Sequence, residues 1–189
     1  DFSLDDEDFE IMVSYDSTDK RITKNATIYR SISDYVGLIN VVMFSPDDLG
    51  LVKGAPSERR RFLDQNIGQF KKTYLFSLIR YKKILKERNE FLKTSDYNNY
   101  NKELFEVLTQ GLIKEATEIT KARKDFIDSL NPIIAEVSSI LSEGKEKVKM
   151  VYNPNTNVDN LWKKAKERES YDFFMKTTTW GPTRDDIDI

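Results

Sequence analysis

The sequence predicts an α+β fold in which a sheet is interrupted by an antiparallel, coiled-coil-like helical arm. Apolar residues alternate with polar ones towards both ends of the chain, whereas between the ends they recur every three or four residues. The low content of seven glycines and five prolines in 189 residues favours long helices over a many-stranded barrel. We expect strands in residues 1–48, the arm in residues 49–145, and a returning strand, helix and strand in residues 146–189.

The first quarter of the chain is predicted to be sheet. Residues Phe9–Tyr15 alternate apolar and polar side chains, and a polar turn separates them from a second short segment, Arg21–Asn25. This pattern predicts a hairpin. The continuous β-branched run Val36–Phe44 is typical of a strand that is covered on both faces.

The arm is predicted from a change of period. Between Lys71 and Lys93 a heptad seam is formed by Tyr74, Leu78, Tyr81, Leu85 and Leu92, with Arg88 in the remaining slot. Turn residues follow at Thr94–Tyr100. A second helix then carries Leu104, Leu108, Leu112, Ile119, Phe126, Leu130, Ile133, Val137 and Ile140 on one side, and Pro132 is expected to kink or restart it. Because the connection is short, the two helices should lie antiparallel.

The last quarter returns to mixed structure. Residues Lys147–Asn153 alternate as in a strand, and Val158–Met175 have the pattern of a charged amphipathic helix. Residues Thr177–Ile189 predict a strand, a Gly-Pro turn and another strand.

The composition excludes several classes of site. The chain has no cysteine and no histidine, so it can form no disulfide, thiolate zinc site, histidine-dependent triad or HExxH metal site. The first eight residues are acidic, unlike a secretory signal. The longest apolar run, Leu38–Phe44, is too short to span a bilayer. We therefore expect a cytoplasmic protein that does not bind a membrane.

Charge is unevenly distributed along a chain whose net charge is −2. Residues 49–93 carry 12 basic and 4 acidic side chains, a balance of +8, whereas residues 1–48 carry 4 basic and 11 acidic ones. The basic block is either the solvated face of a long helix or a surface for an acidic partner such as nucleic acid.

The segment Phe44–Asp64 contains the densest group of motifs. Its Ser45-Pro-Asp-Asp48 start has the capping serine, first-turn proline and acids that are typical of a helix N-terminus. In a second interpretation, Asp47 or Asp48 would reach a metal or water near a bound nucleotide. Both interpretations remain open at the level of sequence.

An arginine triplet follows in Lys53-Gly-Ala-Pro-Ser-Glu-Arg-Arg-Arg61. A phosphate-binding GxxxxGK[ST] loop is absent here and from the rest of the 189 residues. On a helix starting near Ser57, Arg59 shares a side with Phe62 and is expected to be paired, whereas Arg60 and Arg61 could reach phosphates. The candidate DNA-binding residues are Lys53, Arg59, Arg60, Arg61, Lys71, Lys72, Lys82 and Lys83.

The motif Gly-Pro-Thr-Arg-Asp-Asp near the end of the chain combines a turn, an arginine and two acids. Its role is open at the level of sequence. The residues concerned are Gly181, Pro182, Arg184, Asp185 and Asp186.

Three segments, Val41–Asp64, Tyr81–Lys93 and Gly181–Asp186, occur in the order and spacing found in the bacterial RecF family. The members of this family are recombination-mediator ATPases of the SMC/ABC type. The chain resembles only the middle of the family pattern, because the Walker A loop would precede Asp1, and the signature and Walker B motifs would follow Ile189.

The resemblance implies an ABC-ATPase head interrupted by a helical arm, with residues 1–48 supplying head strands. It implies that the full-length protein binds ATP and Mg²⁺, forms an ATP-dependent homodimer and binds duplex DNA and single/double-strand junctions. It further implies that the protein works with RecO and RecR to load RecA at single-strand gaps, in DNA repair, recombination, replication and the SOS response.

The resemblance also implies roles for particular residues. Ser45, Asp47 and Asp48 resemble the Q-loop region near the nucleotide, although the family commonly has Glu where this chain has Asp47. The family motif Gly-Pro-His-Arg-Asp-Asp has Thr183 in place of its histidine here. No catalytic residue, metal site or bound cofactor is expected within this chain, which should be inactive alone because it lacks the P-loop.

Two other functions remain possible from the sequence. The arm could be a non-catalytic protein-interaction or dimerisation module whose basic block meets an acidic protein. A separate carboxylate–magnesium enzyme is less favoured, because helix capping accounts for the acids.

Overall fold

The computed structural model describes residues 2–4, 7–15, 20–29, 36 and 49–189, and the chain divides into two compact units, residues 1–41 and 42–189. Ser45, Asp47 and Asp48 lie outside the described residues, as does all but Val36 of the predicted strand 36–44. These predictions therefore stay predictions.

The described strands of the first unit are short and antiparallel. Strands β1 (Phe2–Leu4) and β2 (Glu7–Phe9) pair with each other. Strands β3 (Ile11–Tyr15), β4 (Lys20–Lys24) and β5 (Thr27–Tyr29) form a three-stranded sheet in that order. The predicted hairpin is confirmed by β3 and β4, whereas β5 was not predicted.

From residue 49 onwards, the described part of the second unit starts with four helices. These are α1 (Gly50–Lys53), α2 (Pro56–Phe70), α3 (Lys72–Thr94) and α4 (Lys102–Leu141). The proline at the first position of α2 suits a helix start. The side chain of Asn101 caps α4 by accepting a hydrogen bond from the Leu104 amide at 3.0 Å.

Helices α3 and α4 form the arm and lie antiparallel, as predicted. Their side-chain contacts run in opposite directions along the two helices: Arg88 meets Thr109, Arg80 meets Glu115, and Tyr74 meets Arg123. The predicted seam of α3 is confirmed, with Leu85 half-buried and the other members, including Arg88, buried.

The predicted apolar side of α4 is only partly correct. Along its strict seven-residue repeat, Leu112 and Ile119 are buried, Phe126 is half-buried, and Ile133 and Ile140 are exposed. A straight α-helix rotates by about 20° per heptad, so this repeat drifts away from the partner helix. Leu104 and Val137 are also exposed. The buried positions of α4 instead include Phe105, Thr109, Ala116, Thr120, Arg123 and Ile127.

Pro132 does not restart the second helix, because α4 continues through it to Leu141. Beside it, the Asn131 side chain forms two hydrogen bonds with the backbone of Met150: its amide donates to the carbonyl oxygen at 2.9 Å, and its oxygen accepts from the N–H at 2.8 Å. This pair ties α4 to the segment that leads into the next strand.

The chain returns through β6 (Val151–Asn153), a 3₁₀ turn (Val158–Asn160), helix α5 (Leu161–Met175), a second 3₁₀ turn (Pro182–Arg184) and β7 (Asp186–Asp188). Strands β6 and β7 pair antiparallel, with Tyr152 opposite Ile187. The predicted strand over residues 147–153 is therefore shorter, at 151–153.

The strand predicted at Thr177–Trp180 is wrong. Two of these residues bond to side chains instead of to a neighbouring strand: Thr178 bonds to Asn89, and Thr179 bonds to Asp172. Trp180 is fully buried in the main core of this unit. That core is formed by α2, α3, α4, the start of α5 and the β6–β7 sheet.

Candidate nucleic-acid interface

The three consecutive arginines of α2 have different surroundings. Arg59 forms a two-pronged salt bridge with Asp186, with 2.6 Å from Nε to Oδ1 and 2.9 Å from Nη2 to Oδ2, and its Nη1 donates to the Gly54 carbonyl oxygen at 2.8 Å. The hydrogen bond with Asp186 raises the pKa of Arg59. The predicted pairing of Arg59 is confirmed. Asp186 occupies the two guanidinium donors, Nε and Nη2, that could otherwise bind a phosphate.

The next two arginines are less engaged. Arg60 is half-buried and donates from Nη1 to the carbonyl oxygen of Asp185 at 2.8 Å. Arg61 is exposed and makes no salt bridge among the described residues. Lys53 at the end of α1 and Lys71 before α3 are exposed as well. The exposure of Arg61, Lys53 and Lys71 is compatible with phosphate contacts, but the structure does not bring these side chains together in one site.

A single face of α3 carries five exposed lysines, which we call the lysine face: Lys72, Lys82, Lys83, Lys86 and Lys93. At about 100° per residue they fall within an arc of about 100°, and at 1.5 Å per residue they extend over about 30 Å. Lys82, Lys86 and Lys93 also line a shallow groove of about 280 Å³ with Leu85, Asn89 and Glu90.

The structure thus groups three predicted residues, Lys72, Lys82 and Lys83, with two that the sequence prediction missed. Lys86 and Lys93 follow Lys82 by four and eleven residues, which is the spacing of one helix face. Applying the helical period to the charges as well as to the apolar residues would have found them.

The lysine face contains little opposing charge. Glu90 is the single acidic residue of α3 within its arc, and it pairs with Lys93 at 2.8 Å. The hydrogen bond from Lys93 lowers the pKa of Glu90, which stays charged at neutral pH. Arg80 lies outside the arc and is held by the buried Glu115 of α4, with Nε–Oε1 at 2.8 Å and Nη2–Oε2 at 2.9 Å. Four of the five lysines make no salt bridge among the described residues.

A buried ion pair on the other side of α3 fixes the rotation of this helix. Arg88 donates from Nη1 to Asp172 Oδ2 at 2.9 Å, and both side chains are 0% exposed. The same nitrogen bonds to Thr178 at 2.7 Å, and Nε reaches Thr109 of α4 at 3.2 Å. Burial lowers the pKa of Arg88, and the charge of Asp172 opposes that shift. Because this pair joins α3 to α4 and α5, the lysine face is held towards solvent.

The motif Gly181–Asp186 divides into an exposed and a buried part. Thr183 and Arg184 are exposed, whereas Gly181, Pro182 and Asp185 are buried. Gly181 has φ of 94°, and a Cβ atom there would lie 2.8 Å from the Tyr81 hydroxyl oxygen, so glycine is required. Burial raises the pKa of Tyr81 to about 12, against the opposing influence of the Thr183 hydroxyl.

Two other kinds of site are absent from the described residues. None of the helices there combines the length and apolar content that a membrane span needs. Nor do the described parts of the chain bring together three or more carboxylates able to hold a metal ion.

Comparisons with known proteins agree on one family. The chain is 40% identical over 178 residues to the DNA replication and repair protein RecF of Halalkalibacterium halodurans. The aligned region covers 89% of this chain and 48% of that protein. The chain is 37% identical over 179 residues to RecF of Bacillus cereus, with the same coverage. No family model matches the chain.

Two solved structures have the same fold. One is described as the recombination mediator protein RecF with ATP in the RecFOR pathway, with a TM-score of 0.87, 26% identity, and coverage of 94% of this chain and 50% of that one. The other, RecF with ATPrS, has a TM-score of 0.88, 25% identity, and coverage of 98% and 53%. The chain spans about half the length of these relatives. It belongs to the RecF family as a segment that contains part of the ABC-ATPase head and the helical arm.

Proposed function

We propose that this chain is the arm-bearing segment of a RecF-like, DNA-binding ATPase of recombinational repair, and that the lysine face of α3 contacts DNA. The observation that carries the proposal is the alignment of five exposed lysines along about 30 Å of one helix. Duplex DNA presents one negative charge per about 1.7 Å of its axis, so a straight cationic face of this length matches several phosphates.

The composition of the face indicates contacts to phosphates and not to bases. A lysine ammonium is a flexible, strongly hydrated point charge, which suits phosphate oxygens and carries little sequence information. Binding through these residues should therefore depend steeply on salt and little on sequence. Arg61, Lys53 and Lys71 are further candidates at the base of the arm.

The wider function follows from the relatives. They are named DNA replication and repair proteins, and one solved structure contains ATP. We extend to the full-length protein the binding of ATP and Mg²⁺ and an ATP-dependent homodimer. We also extend to it the joint action with RecO and RecR that loads RecA at single-strand gaps, and a role in the SOS response in the cytoplasm. For the nucleotide-proximal role we retain Ser45, Asp47 and Asp48.

Charge reversal on the lysine face tests the proposed DNA binding. Lys82→Glu combined with Lys86→Glu should lower affinity for a mixed-sequence duplex oligonucleotide at least tenfold, measured by fluorescence anisotropy. The slope of log affinity against log salt should become shallower by about 0.9 for each phosphate that the variant no longer neutralises.

A matched control applies the same change of charge elsewhere. Lys114→Glu combined with Lys121→Glu alters two exposed lysines of α4. This control should retain most of the affinity and the original salt slope. Equal reductions of affinity in both double variants would show a non-specific effect of net charge and contradict the proposal.

A protein-interaction or dimerisation module is the second candidate. It is favoured by the exposed apolar residues at the end of α4, namely Ile133, Val137, Ile140 and Leu141. Such a cluster is unusual for a helix that faces only water. Duplex binding that is unaffected by reversal of Lys82 and Lys86 would favour this alternative.

A further inference from the structure

Asp185, the fifth residue of the Gly-Pro-Thr-Arg-Asp-Asp motif, is the centre of a buried hydrogen-bond network. The carboxylate is 1% exposed. Its Oδ2 accepts hydrogen bonds from Arg123 Nη1 at 3.0 Å and from the Tyr152 hydroxyl. Its Oδ1 accepts from the backbone N–H of Asn155 at 2.8 Å. A carboxylate this deeply buried needs such partners, because an unpaired buried charge is strongly destabilising.

Arg123 extends the network to two more helices. From α4 its guanidinium donates to Asp64 of α2 at 2.9 Å and to the hydroxyl of Tyr74 of α3 at 3.1 Å, and Tyr74 in turn donates to Asp64 at 2.6 Å. The arginine also donates to the Pro182 carbonyl oxygen at 2.8 Å. One guanidinium therefore joins α2 and the two arm helices, α3 and α4, to the motif.

The electrostatics of this network keep it charged. Burial alone would lower the pKa of Arg123, but the attraction of Tyr74 and Asp64 holds it well above its usual range. Burial and the charge of Asp185 raise the pKa of the Tyr152 phenol. Arg123 therefore stays protonated and the tyrosines stay neutral donors throughout the physiological range.

The contacts of Arg59 and Arg60 add a second connection from α2 to the same motif. Arg59 binds Asp186, the first residue of β7, and Arg60 binds the backbone of Asp185. Helices α2, α3 and α4 are thus attached to one short segment that leads directly into the β6–β7 sheet.

We infer that Asp185 and Arg123 are positioning residues that set the direction of the arm relative to the β6–β7 sheet, and thereby aim the lysine face. The claim that the lysine face is aimed at DNA rests on the proposed function, whereas the claim about the direction of the arm does not. The motif would then act through the arm and would not touch the ligand. A network of buried bonds suits this role, because solvent and salt screen it much less than surface pairs.

The absence of cysteine allows a direct test in the 189-residue chain. Asn98→Cys in the connection between α3 and α4, combined with Val151→Cys in β6, gives two exposed labelling sites. Spin labels there report the distance from the arm tip to the sheet by double electron–electron resonance. Asp185→Asn should broaden this distance distribution and reduce duplex affinity severalfold. Asp188→Asn, an exposed carboxylate in β7, the strand that follows Asp185, should leave both unchanged.

A second variant separates positioning from stability. Arg123→Met combined with Asp185→Leu removes both charges and leaves apolar groups, a replacement that often preserves stability. If the pair positions the arm, the distance distribution broadens even where the thermal midpoint is retained. A native distribution in this folded double variant would overturn the inference. A broadened distribution with unchanged duplex affinity would support positioning and contradict the proposed role of the lysine face.

Discussion

At the scale of single residues, the fate of each arginine in the triplet depends on a partner far away in the chain. Arg59 meets Asp186, 127 positions later, and Arg60 meets the backbone of Asp185. Arg61, with the same side chain, remains exposed. Helical geometry separates the three arginines by about 100° each, so only the residues facing the returning strand can be paired.

Asp186 provides a test of this pairing through pH. The hydrogen bond from Arg59 lowers the pKa of Asp186, although desolvation acts in the opposite direction. The folded-state pKa therefore lies below the unfolded value of about 3.9, so the contribution is present above that pH and disappears as pH falls through the folded pKa.

We expect Asp186→Asn to lower the free energy of unfolding by about 1 kcal/mol at pH 7, a modest effect because the side chain is 32% exposed and partly screened. Urea denaturation at pH 7, 4 and 2.5 should show this difference shrinking below about pH 4. Asp125→Asn on the exposed side of α4 serves as the control. A penalty that persists undiminished at pH 2.5 would show that the salt bridge is not its source.

At the scale of elements, the sequence predicts the buried face of α3 better than that of α4. The reason is that α4 lies beside α3 along the whole length of α3, whereas α3 lies beside only part of α4. The start of α3 meets Arg123 through Tyr74, so the part of α4 that follows Ile127 has no α3 residues beside it. Beyond that point α3 does not enforce the heptad repeat, and Ile133 and Ile140 are exposed. A periodic apolar pattern predicts a helix correctly but does not say how far its partner extends.

The candidate interface was predictable only in part for a related reason. The basic block and three lysines of the face are visible in the sequence, because charge and helical period are local properties. Asp185 and Arg123 lie 62 residues apart, and nothing in their local sequence links them. The same holds for Arg88 and Asp172, which are 84 residues apart. Sequence patterning therefore finds the exposed face and misses the buried pairs that orient it.

The Asn131 side chain joins α4 to the segment before β6, and removing it is a further test. Asn131→Ala deletes both hydrogen bonds to the Met150 backbone and leaves a partly buried N–H and C=O without their partner. We expect the free energy of unfolding to fall by about 2 kcal/mol, since each net hydrogen bond contributes about 1 kcal/mol.

Ser138→Ala is a suitable comparison for that measurement, because the Ser138 hydroxyl bonds only to the Ala135 carbonyl of its own helix. Removing this hydroxyl should cost well under 1 kcal/mol. Equal effects of the two substitutions in urea denaturation would mean that α4 is not fastened to the returning strand through Asn131.

At the scale of the whole chain, the +8 block of residues 49–93 becomes a basic surface because two of its four acids, Asp64 and Glu90, are already paired. Asp64 faces inwards to Arg123 and Tyr74, and Glu90 is paired with Lys93. The inward cations, Arg59 and Arg88, are matched by Asp186 and Asp172 from the returning segment. Four of the cations that remain unmatched are lysines on one face of α3, Lys72, Lys82, Lys83 and Lys86, and they generate a field suited to long-range attraction of a polyanion.

We also expect that the 189-residue chain does not hydrolyse ATP. Phosphoryl transfer requires groups that cradle the phosphates and place magnesium, and the GxxxxGK[ST] loop that supplies them is absent from these residues. Phosphate release should be measured at saturating MgATP with and without duplex DNA, and an ATPase that carries the GxxxxGK[ST] loop provides the positive control. Release that scales with chain concentration and requires Mg²⁺ would contradict this expectation. The chemistry would then have to reside in carboxylates of the segment itself.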